Sequence, residues 1–126
     1  MEFKENPAIY IQIAEYVCEQ ILLQKWMLGD KIISIRELAV QMEVNPNTVQ
    51  RAYDFLQQKN IIANKRGIGY FIEDDAMERI LSFRREQFKE NELPVFMRNI
   101  FLLKIDFKEI KSLFDQFVKE NYKTKP

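Results

Sequence analysis

Apolar residues recur in steps of three and four along the start of the chain, which is the spacing of a helix with one buried face. The first such stretch runs from Ile9 to Ile21 and predicts a helix that ends before the turn signal at Gly29. A second, shorter stretch begins at Ser34, a good N-cap residue, and Glu37 three positions later completes a capping box. The pattern therefore predicts a long helix followed by a short one.

A third helix is predicted from about Pro46 to Gln58. Asn45 is a strong N-cap, and proline suits the first helical position because the N–H that it lacks would have no partner there. Asn60 closes the helix, since asparagine tolerates the left-handed conformation that follows a helix end. The residues expected to face the core are Val49, Ala52, Tyr53 and Leu56. Polar side chains in the first turns therefore face away from the core.

A β-hairpin is predicted after the third helix. Residues 61–63 and Gly69–Ile72 have the composition of short strands, and the loop between them carries Lys65, Arg66 and Gly67. This loop is basic, and its glycine permits close approach to another molecule. Two helices joined by a three-residue turn and followed by a hairpin have the order of a winged helix-turn-helix.

The remainder of the chain is predicted to be helical from Asp74 onward, with an interruption at residues 91–94 and a second capping box at Asp106 and Glu109. Its phenylalanines are Phe83, Phe88, Phe96, Phe101, Phe107, Phe114 and Phe117. Short helices this apolar need a further surface to cover them, so we expect a homodimer interface. The alternative is a pocket for a small-molecule effector, whose identity the sequence does not give.

These elements predict an α+β fold, mostly α, with two parts. A winged helix-turn-helix DNA-binding domain occupies residues 1–73, and a small C-terminal helical dimerisation region occupies residues 74–126. The net charge of the chain is zero, which is unusual for a DNA-binding protein. However, residues 31–72 carry six basic and three acidic side chains, so the basic excess falls within the predicted helix-turn-helix and wing.

The residue types also limit the chemistry that is available. The chain has no histidine and one cysteine, Cys18, which excludes Ser-His and Cys-His nucleophilic sites, intramolecular disulfides and the usual zinc sites. Cys18 itself is expected to be a small buried apolar residue. No paired acids stand out in a glycine-shaped loop, and no phosphate-binding loop is present. We therefore expect no enzyme activity, cofactor or metal.

The location of the protein is predicted from what its hydropathy pattern lacks. No apolar run approaches the ~20 residues of a membrane span. The sequence begins without the basic and then apolar segments of a secretory signal. We expect a cytoplasmic protein that does not associate with membranes.

A recognition helix enters the major groove with its N-terminal turns first, and therefore needs polar side chains there that reach bases and phosphates. Around the start of the third helix, these are Asn45, Asn47, Thr48, Gln50 and Arg51. The positive end of the helix adds attraction for phosphate. The basic loop of the hairpin can reach an adjacent minor groove. The alternatives are an ordinary exposed helix face and a polar turn.

Four ordered segments resemble the GntR family of bacterial transcription regulators, and within it the short YtrA-type subfamily. They are residues 7–13, residues 34–39, the stretch VNPNTVQRAY at residues 44–53, and residues 66–72 in the wing. The resemblance covers about residues 7–73. Over the C-terminal part it rests on length and helical pattern alone.

This resemblance implies a homodimer that binds a two-fold symmetric double-stranded DNA operator and is held together by the C-terminal helices. It implies DNA contacts from Arg36, Thr48, Arg66 and Gly67. Some members of the family repress transporter operons, so such an operon is a candidate target. The full set of predicted DNA-binding residues is Ser34, Arg36, Asn45, Asn47, Thr48, Gln50, Arg51, Lys65, Arg66 and Gly67.

Four positions depart from the common family pattern, and one of them is Asn60, which replaces a usual glycine with little structural consequence. Leu28 and Ile33 stand where the family often has proline, which affects turn rigidity more than chemistry. Pro46 stands where many members have a base-contacting arginine, so base preference does not transfer from them. The resulting hypothesis is a dimeric DNA-binding regulator that acts as a repressor, as some members of the family do. A winged-helix module for protein interaction ranks second, because such modules usually lack these polar and basic groups.

Overall fold

The computed structural model describes residues 8–122. These residues form six helices and one two-stranded antiparallel sheet. By their internal contacts they divide into two compact units, which meet between Arg84 and Arg85. The first unit therefore includes residues 8–84 of the described range, and the second includes residues 85–122. Mostly helical secondary structure with a small β-hairpin confirms the predicted fold class.

The first three helices are α1 (Ile9–Leu22), α2 (Ile35–Met42) and α3 (Pro46–Gln58). The bounds of α3 confirm the sequence prediction, because its start is fixed by a local cap. The Asn45 side chain accepts a hydrogen bond from the Asn47 N–H at 2.8 Å, and Pro46 occupies the first helical turn.

A tight turn joins α2 to α3. Glu43 ends α2 in the left-handed conformation, with φ of 56°, and the Val44 N–H donates to the Ala39 carbonyl at 3.1 Å. At the other end of α2, the Ser34 hydroxyl accepts a hydrogen bond from the Glu37 N–H at 3.1 Å, as the predicted capping box requires. These local hydrogen bonds set the course of the chain between the two helices.

The wing consists of β1 (Ile62–Lys65) and β2 (Gly69–Ile72), paired from Ile62 opposite Ile72 to Lys65 opposite Gly69. The predicted first strand, residues 61–63, was therefore placed too early. The Ile61 N–H donates to the Leu56 carbonyl at 3.0 Å, and the Ile61 carbonyl accepts from the Glu73 N–H at 2.9 Å, so Ile61 links the end of α3 to the wing.

A further segment, residues 29–32, pairs with the other edge of β2. The Ile32 N–H donates to the Tyr70 carbonyl and the Ile72 N–H donates to the Asp30 carbonyl, both at 2.9 Å. Lys31 lies opposite Phe71 as an isolated bridge. The sequence pattern did not predict this pairing, which fixes β2 on both sides.

The core of the first unit is formed by α1, α2, α3, the wing and the start of α4 (Ala76–Asn91). Tyr53 is fully buried, and its hydroxyl donates to the Ile33 carbonyl at 2.8 Å. Cys18 is also buried, as expected, and burial raises the pKa of its thiol to about 12. Phe83 packs edge-on against Phe55 at 6.1 Å between ring centroids, so it belongs to this core and not with the other C-terminal phenylalanines.

The division between the two units falls within α4. Ala76 and Ile80 are buried in the first unit, and the division lies after Arg84. The helix itself continues to Asn91. The boundary after residue 73, where the sequence predicts that the winged helix-turn-helix ends, stays a prediction.

The second unit contains α5 (Leu93–Leu102) and α6 (Phe107–Asn121), and neither helix has a buried residue. α5 begins earlier than the predicted interruption at residues 91–94 allows, because Pro94 lies within its first turn, where proline is tolerated. The Asp106 side chain caps α6 by accepting from the Lys108 N–H at 2.9 Å. The most exposed large apolar side chains of the second unit are Phe101, Leu103, Phe107, Phe114, Val95, Met97, Leu102, Leu113 and Phe117.

A cleft of about 590 Å³ lies along α5 and the connection from α5 to α6. Its lining is mostly apolar and includes Phe96, Ile100 and Phe107. Across residues 8–122, no helix combines the length and the hydropathy that a membrane span needs.

Candidate nucleic-acid interface

The first turns of α3 present polar side chains to solvent. Asn45, Asn47, Gln50 and Arg51 are exposed, and Thr48 is half-buried. On the opposite face the buried residues are Val49, Ala52, Tyr53 and Leu56, as the helical spacing predicted. The N-terminal end of α3 carries no acidic residue in its first turn, so the positive end of the helix dipole is not offset locally.

Arg51 is exposed, but its guanidinium is held against an aromatic ring. Its guanidinium carbon lies 4.0 Å from the centroid of the Tyr10 ring, in a cation–π contact. No hydrogen bond or ion pair of the Arg51 side chain is found within residues 8–122, so its N–H donors stay open to an anion. Together with Asn47 and Thr48, Arg51 and Tyr10 line a shallow recess of about 400 Å³.

Gln50 is held by two acceptors. Its Nε2 donates to Asp54 Oδ1 at 3.0 Å, one turn further along α3, and to the Tyr70 hydroxyl at 3.4 Å. Tyr70 lies on β2, and its ring packs edge-on against Tyr53 at 5.0 Å between centroids. The recognition helix and the wing are therefore joined at a residue predicted to read bases.

The wing presents two of its predicted basic residues differently. Lys65 lies over the Phe71 ring, with 4.2 Å from Nζ to the centroid. Arg66 is exposed at the turn, next to Gly67, which has φ of 79° and open space around it. A positive φ of this size favours glycine, so the tight turn that projects Arg66 depends on Gly67.

Ser34 and Arg36 stand at the start of α2, and both are exposed. The Ser34 hydroxyl accepts from the Glu37 N–H and donates to Glu37 Oε1 at 3.1 Å, so it acts as a helix cap. Within residues 8–122, no ion pair or hydrogen bond of the Arg36 side chain is found. Contact with DNA stays a prediction for both residues, as it does for the rest of the predicted set.

Sequence reasoning did not select Lys31, Tyr10 or Tyr70 as parts of this surface. The Lys31 stem lies across Gly69, where an added Cβ would stand 2.8 Å from Lys31 Cε, and Gly69 has φ of 140°. The proximity of Lys31 to the wing follows from the pairing of residues 29–32 with β2, which has no local signal. Tyr10 and Tyr70 both pack against the core of the first unit, and each also touches a candidate DNA-binding side chain.

The described residues contain no group of three or more histidine, cysteine, aspartate or glutamate side chains that could hold a metal ion. The order of elements is helix, helix-turn-helix and two-stranded wing, and the turn, caps and exposed polar face are all in place. The sequence profile of the family described as bacterial regulatory proteins, gntR family, matches residues 9–72. The chain belongs to the GntR family.

Two relatives from Bacillus subtilis (strain 168) support this assignment. The chain is 39% identical over 75 residues to the HTH-type transcriptional regulator YhcF, covering 60% of this chain and 62% of YhcF. It is 36% identical over 87 residues to the HTH-type transcriptional repressor YtrA, covering 69% of this chain and 67% of YtrA. The match thus spans about two thirds of the length of these relatives.

The solved structure of a GntR family transcriptional regulator from Listeria monocytogenes resembles the chain over most of its length. The TM-score is 0.73 at 34% identity, covering 90% of this chain and 98% of that one. The structural likeness therefore extends beyond the profile match at residues 9–72 into the second unit. The resemblance that the sequence motifs indicated is confirmed, including the winged helix-turn-helix of the family.

Proposed function

We propose that this GntR-family chain is a sequence-specific DNA-binding transcription regulator that acts as a homodimer on a two-fold symmetric operator. The observation that carries the proposal is the exposed, capped polar start of α3 beside a basic wing. Polar side chains at the first turns of a recognition helix are placed to reach base edges, and basic loop residues are placed to reach phosphates or a minor groove.

Each candidate residue receives a role that fits its position. Arg36, Arg51 and Lys65 contact phosphates and supply a salt-dependent part of the affinity. The base-reading residues are Asn47, Thr48 and Gln50. Arg66 and Gly67 enter the minor groove, since Gly67 allows the turn to approach the DNA closely. Ser34 and Asn45 hold the ends of α2 and α3 against the DNA through their caps.

Dimerisation is assigned to the second unit, residues 85–122. Its helices have exposed apolar faces, with Phe101 81% and Phe114 62% accessible. A second copy of the chain is the natural cover, because a two-fold pair places two recognition helices on half-sites about one turn of DNA apart. Two half-sites read together supply the affinity and specificity that one α3 lacks.

Repression is the regulatory direction we propose, in a cytoplasmic protein. The support is the similarity to Bacillus subtilis YtrA, which is named as a transcriptional repressor. A transporter operon is the candidate target, and genes adjacent to this one on the chromosome are the first to examine. The cleft along α5 is the candidate place for an effector, and because Phe101 both lines it and belongs to the proposed dimer face, an effector there would act on dimerisation.

The test is a gel shift with the promoter region of the protein's own gene. Wild-type protein should retard this DNA at concentrations that leave unrelated DNA free. The double variant Arg36→Ala with Arg66→Ala should lose this binding while keeping its thermal unfolding temperature. A control variant, Lys108→Ala with Lys119→Ala, removes the same charge from α6 and should bind as wild type does.

Two results would contradict the proposal. Unchanged binding by the Arg36 and Arg66 double variant would show that the assigned surface does not contact DNA. Failure of the wild-type protein to prefer any DNA sequence would favour the winged-helix module for protein interaction.

A further inference from the structure

We propose that Gln50 prefers a base with an amino group in the major groove, adenine or cytosine, on the strand that it contacts. Asp54 and Tyr70 impose this preference by holding the NH₂ group of the Gln50 amide. The inference rests on the proposed function and adds the chemistry of one contact. It assigns positioning roles to Asp54 and Tyr70, two residues outside the predicted DNA-binding set.

The orientation of the Gln50 amide follows from the chemistry of its partners. An ionised carboxylate accepts hydrogen bonds and donates none, so the NH₂ group of Gln50, rather than its oxygen, must face Asp54 Oδ1 at 3.0 Å. The same Nε2 donates to the Tyr70 hydroxyl at 3.4 Å. Both hydrogens of the NH₂ group are therefore directed to protein acceptors, and Oε1 remains the open group of this exposed side chain.

Tyr70 is a firm partner because its own position is fixed. Its backbone carbonyl accepts from the Ile32 N–H at 2.9 Å, and its ring packs against the buried Tyr53. Tyr70 is half-buried, whereas Gln50 and Asp54 are exposed. The wing thus limits the rotation of a side chain on the recognition helix.

A free glutamine commonly pairs with adenine through two hydrogen bonds, donating to N7 and accepting from the N6 amino group. With its NH₂ group occupied, Gln50 can accept but not donate. In the major groove every base pair displays one amino group, on adenine or on cytosine, while thymine and guanine display a carbonyl oxygen there. The expected preference is adenine or cytosine, with little discrimination between them, on the contacted strand.

The experiment uses the wild-type protein to select binding sites from a randomised pool of duplex DNA. The same selection with Gln50→Ala identifies the contacted position, because a base preference of the wild-type protein should be lost there and nowhere else. There the wild-type protein should favour adenine and cytosine about three- to tenfold over guanine and thymine, the range that one hydrogen bond supplies. Asp54→Ala should free the NH₂ group and separate adenine from cytosine, and Tyr70→Phe should do so more weakly.

A charge control is needed because Asp54→Ala also removes a negative charge near DNA. Glu43→Gln removes a negative charge from the turn before α3 and should raise affinity for all sequences without altering the base profile. A changed profile in Glu43→Gln, matching that of Asp54→Ala, would overturn the inference, because charge alone would then explain the effect.

Other outcomes also separate the two levels of the proposal. Selection of guanine or thymine, or of adenine alone, at the Gln50 position would overturn the inference and leave the proposed function intact. An Asp54→Ala profile identical to that of the wild type would do the same. If the wild-type protein selects no sequence, the proposed function fails and the inference fails with it.

Discussion

The two units of this chain differ in how far they bury their apolar side chains. In the first unit, helices from three parts of the chain and the wing share one core, in which Tyr53, Leu56 and Ile13 are fully buried. In the second unit, α5 and α6 have no buried residue, although their apolar content is high. The first unit completes its core within one chain, whereas the helices of the second unit leave their apolar side chains exposed.

The difference follows from the number of elements in each unit. A helix buries one stripe of side chains, and two short helices cannot surround each other's stripes. The first unit adds a third helix and a hairpin, which close the space around α3. We therefore expect stability of the first unit to be a property of the monomer and stability of the second to depend on assembly.

The largest expected effect is a core truncation in the first unit. Leu56→Ala should lower the free energy of unfolding by about 2–5 kcal/mol, because it leaves a cavity beneath α3. Denaturant unfolding at several protein concentrations measures it, and the loss should be independent of concentration. The loss from Phe101→Ala should vary with concentration.

The matched control is Val40→Ala, because Val40 is 74% exposed and its truncation should cost little free energy of unfolding. A loss equal to that of Leu56→Ala would contradict the prediction that burial in the first unit sets its stability.

The second prediction breaks the proposed dimer. Phe101→Asp with Phe114→Asp should give monomers, since two charges would then lie in an apolar interface. Operator affinity should fall about 100-fold or more, because the two half-sites would no longer be bound together. Sedimentation and gel shift measure the two effects. Lys108→Asp, on the polar side of α6, is the control; a dimeric double variant would show that another surface joins the copies.

The third prediction compares two helix caps of the same kind. Asn45→Ala and Asp106→Ala each remove a side chain that accepts a backbone hydrogen bond, at a cost of about 1 kcal/mol. Asn45→Ala should also weaken DNA binding at protein concentrations that keep the dimer intact, because it loosens the start of the recognition helix. Asp106→Ala should weaken dimerisation instead. Titrations of both variants against one operator, with sedimentation in parallel, test this. Weaker dimerisation of Asn45→Ala, with weaker DNA binding by a dimeric Asp106→Ala, would contradict it.

The last prediction concerns Cys18 in the core of the first unit, whose effect is absent near neutral pH. Burial raises the pKa of its thiol to about 12, whereas in the unfolded chain the thiol ionises near its ordinary value of about 9. The unfolded state therefore loses a proton before the folded state does, and stability should fall above about pH 9 by up to about 1.4 kcal/mol per pH unit. Cys18→Ala should show a shallower fall. Equal slopes would indicate an accessible thiol.

Local chemistry explains which features of the fold could be predicted from sequence. The start of α3 followed from Asn45 and Pro46, because a cap and a proline act on neighbouring backbone groups. The buried face of α3 followed from helical spacing. The strand bounds were less accurate, since Ile61 donates its N–H to the preceding helix and accepts a hydrogen bond from Glu73 after β2, so it joins two elements. The place of Phe83 was not predictable, because spacing cannot show which core an apolar residue joins.

The candidate site divides in the same way. Sequence alone determined the polar start of the recognition helix, the basic turn at Arg66 and Gly67, and the family to which the chain belongs, because short motifs at fixed spacing carry all three. Tertiary structure alone decided that Tyr10 supports Arg51 and that Tyr70 holds the amide of Gln50. Such contacts join residues twenty or more positions apart, and only the packing of α1 and the wing against α3 brings them within hydrogen-bonding or stacking distance.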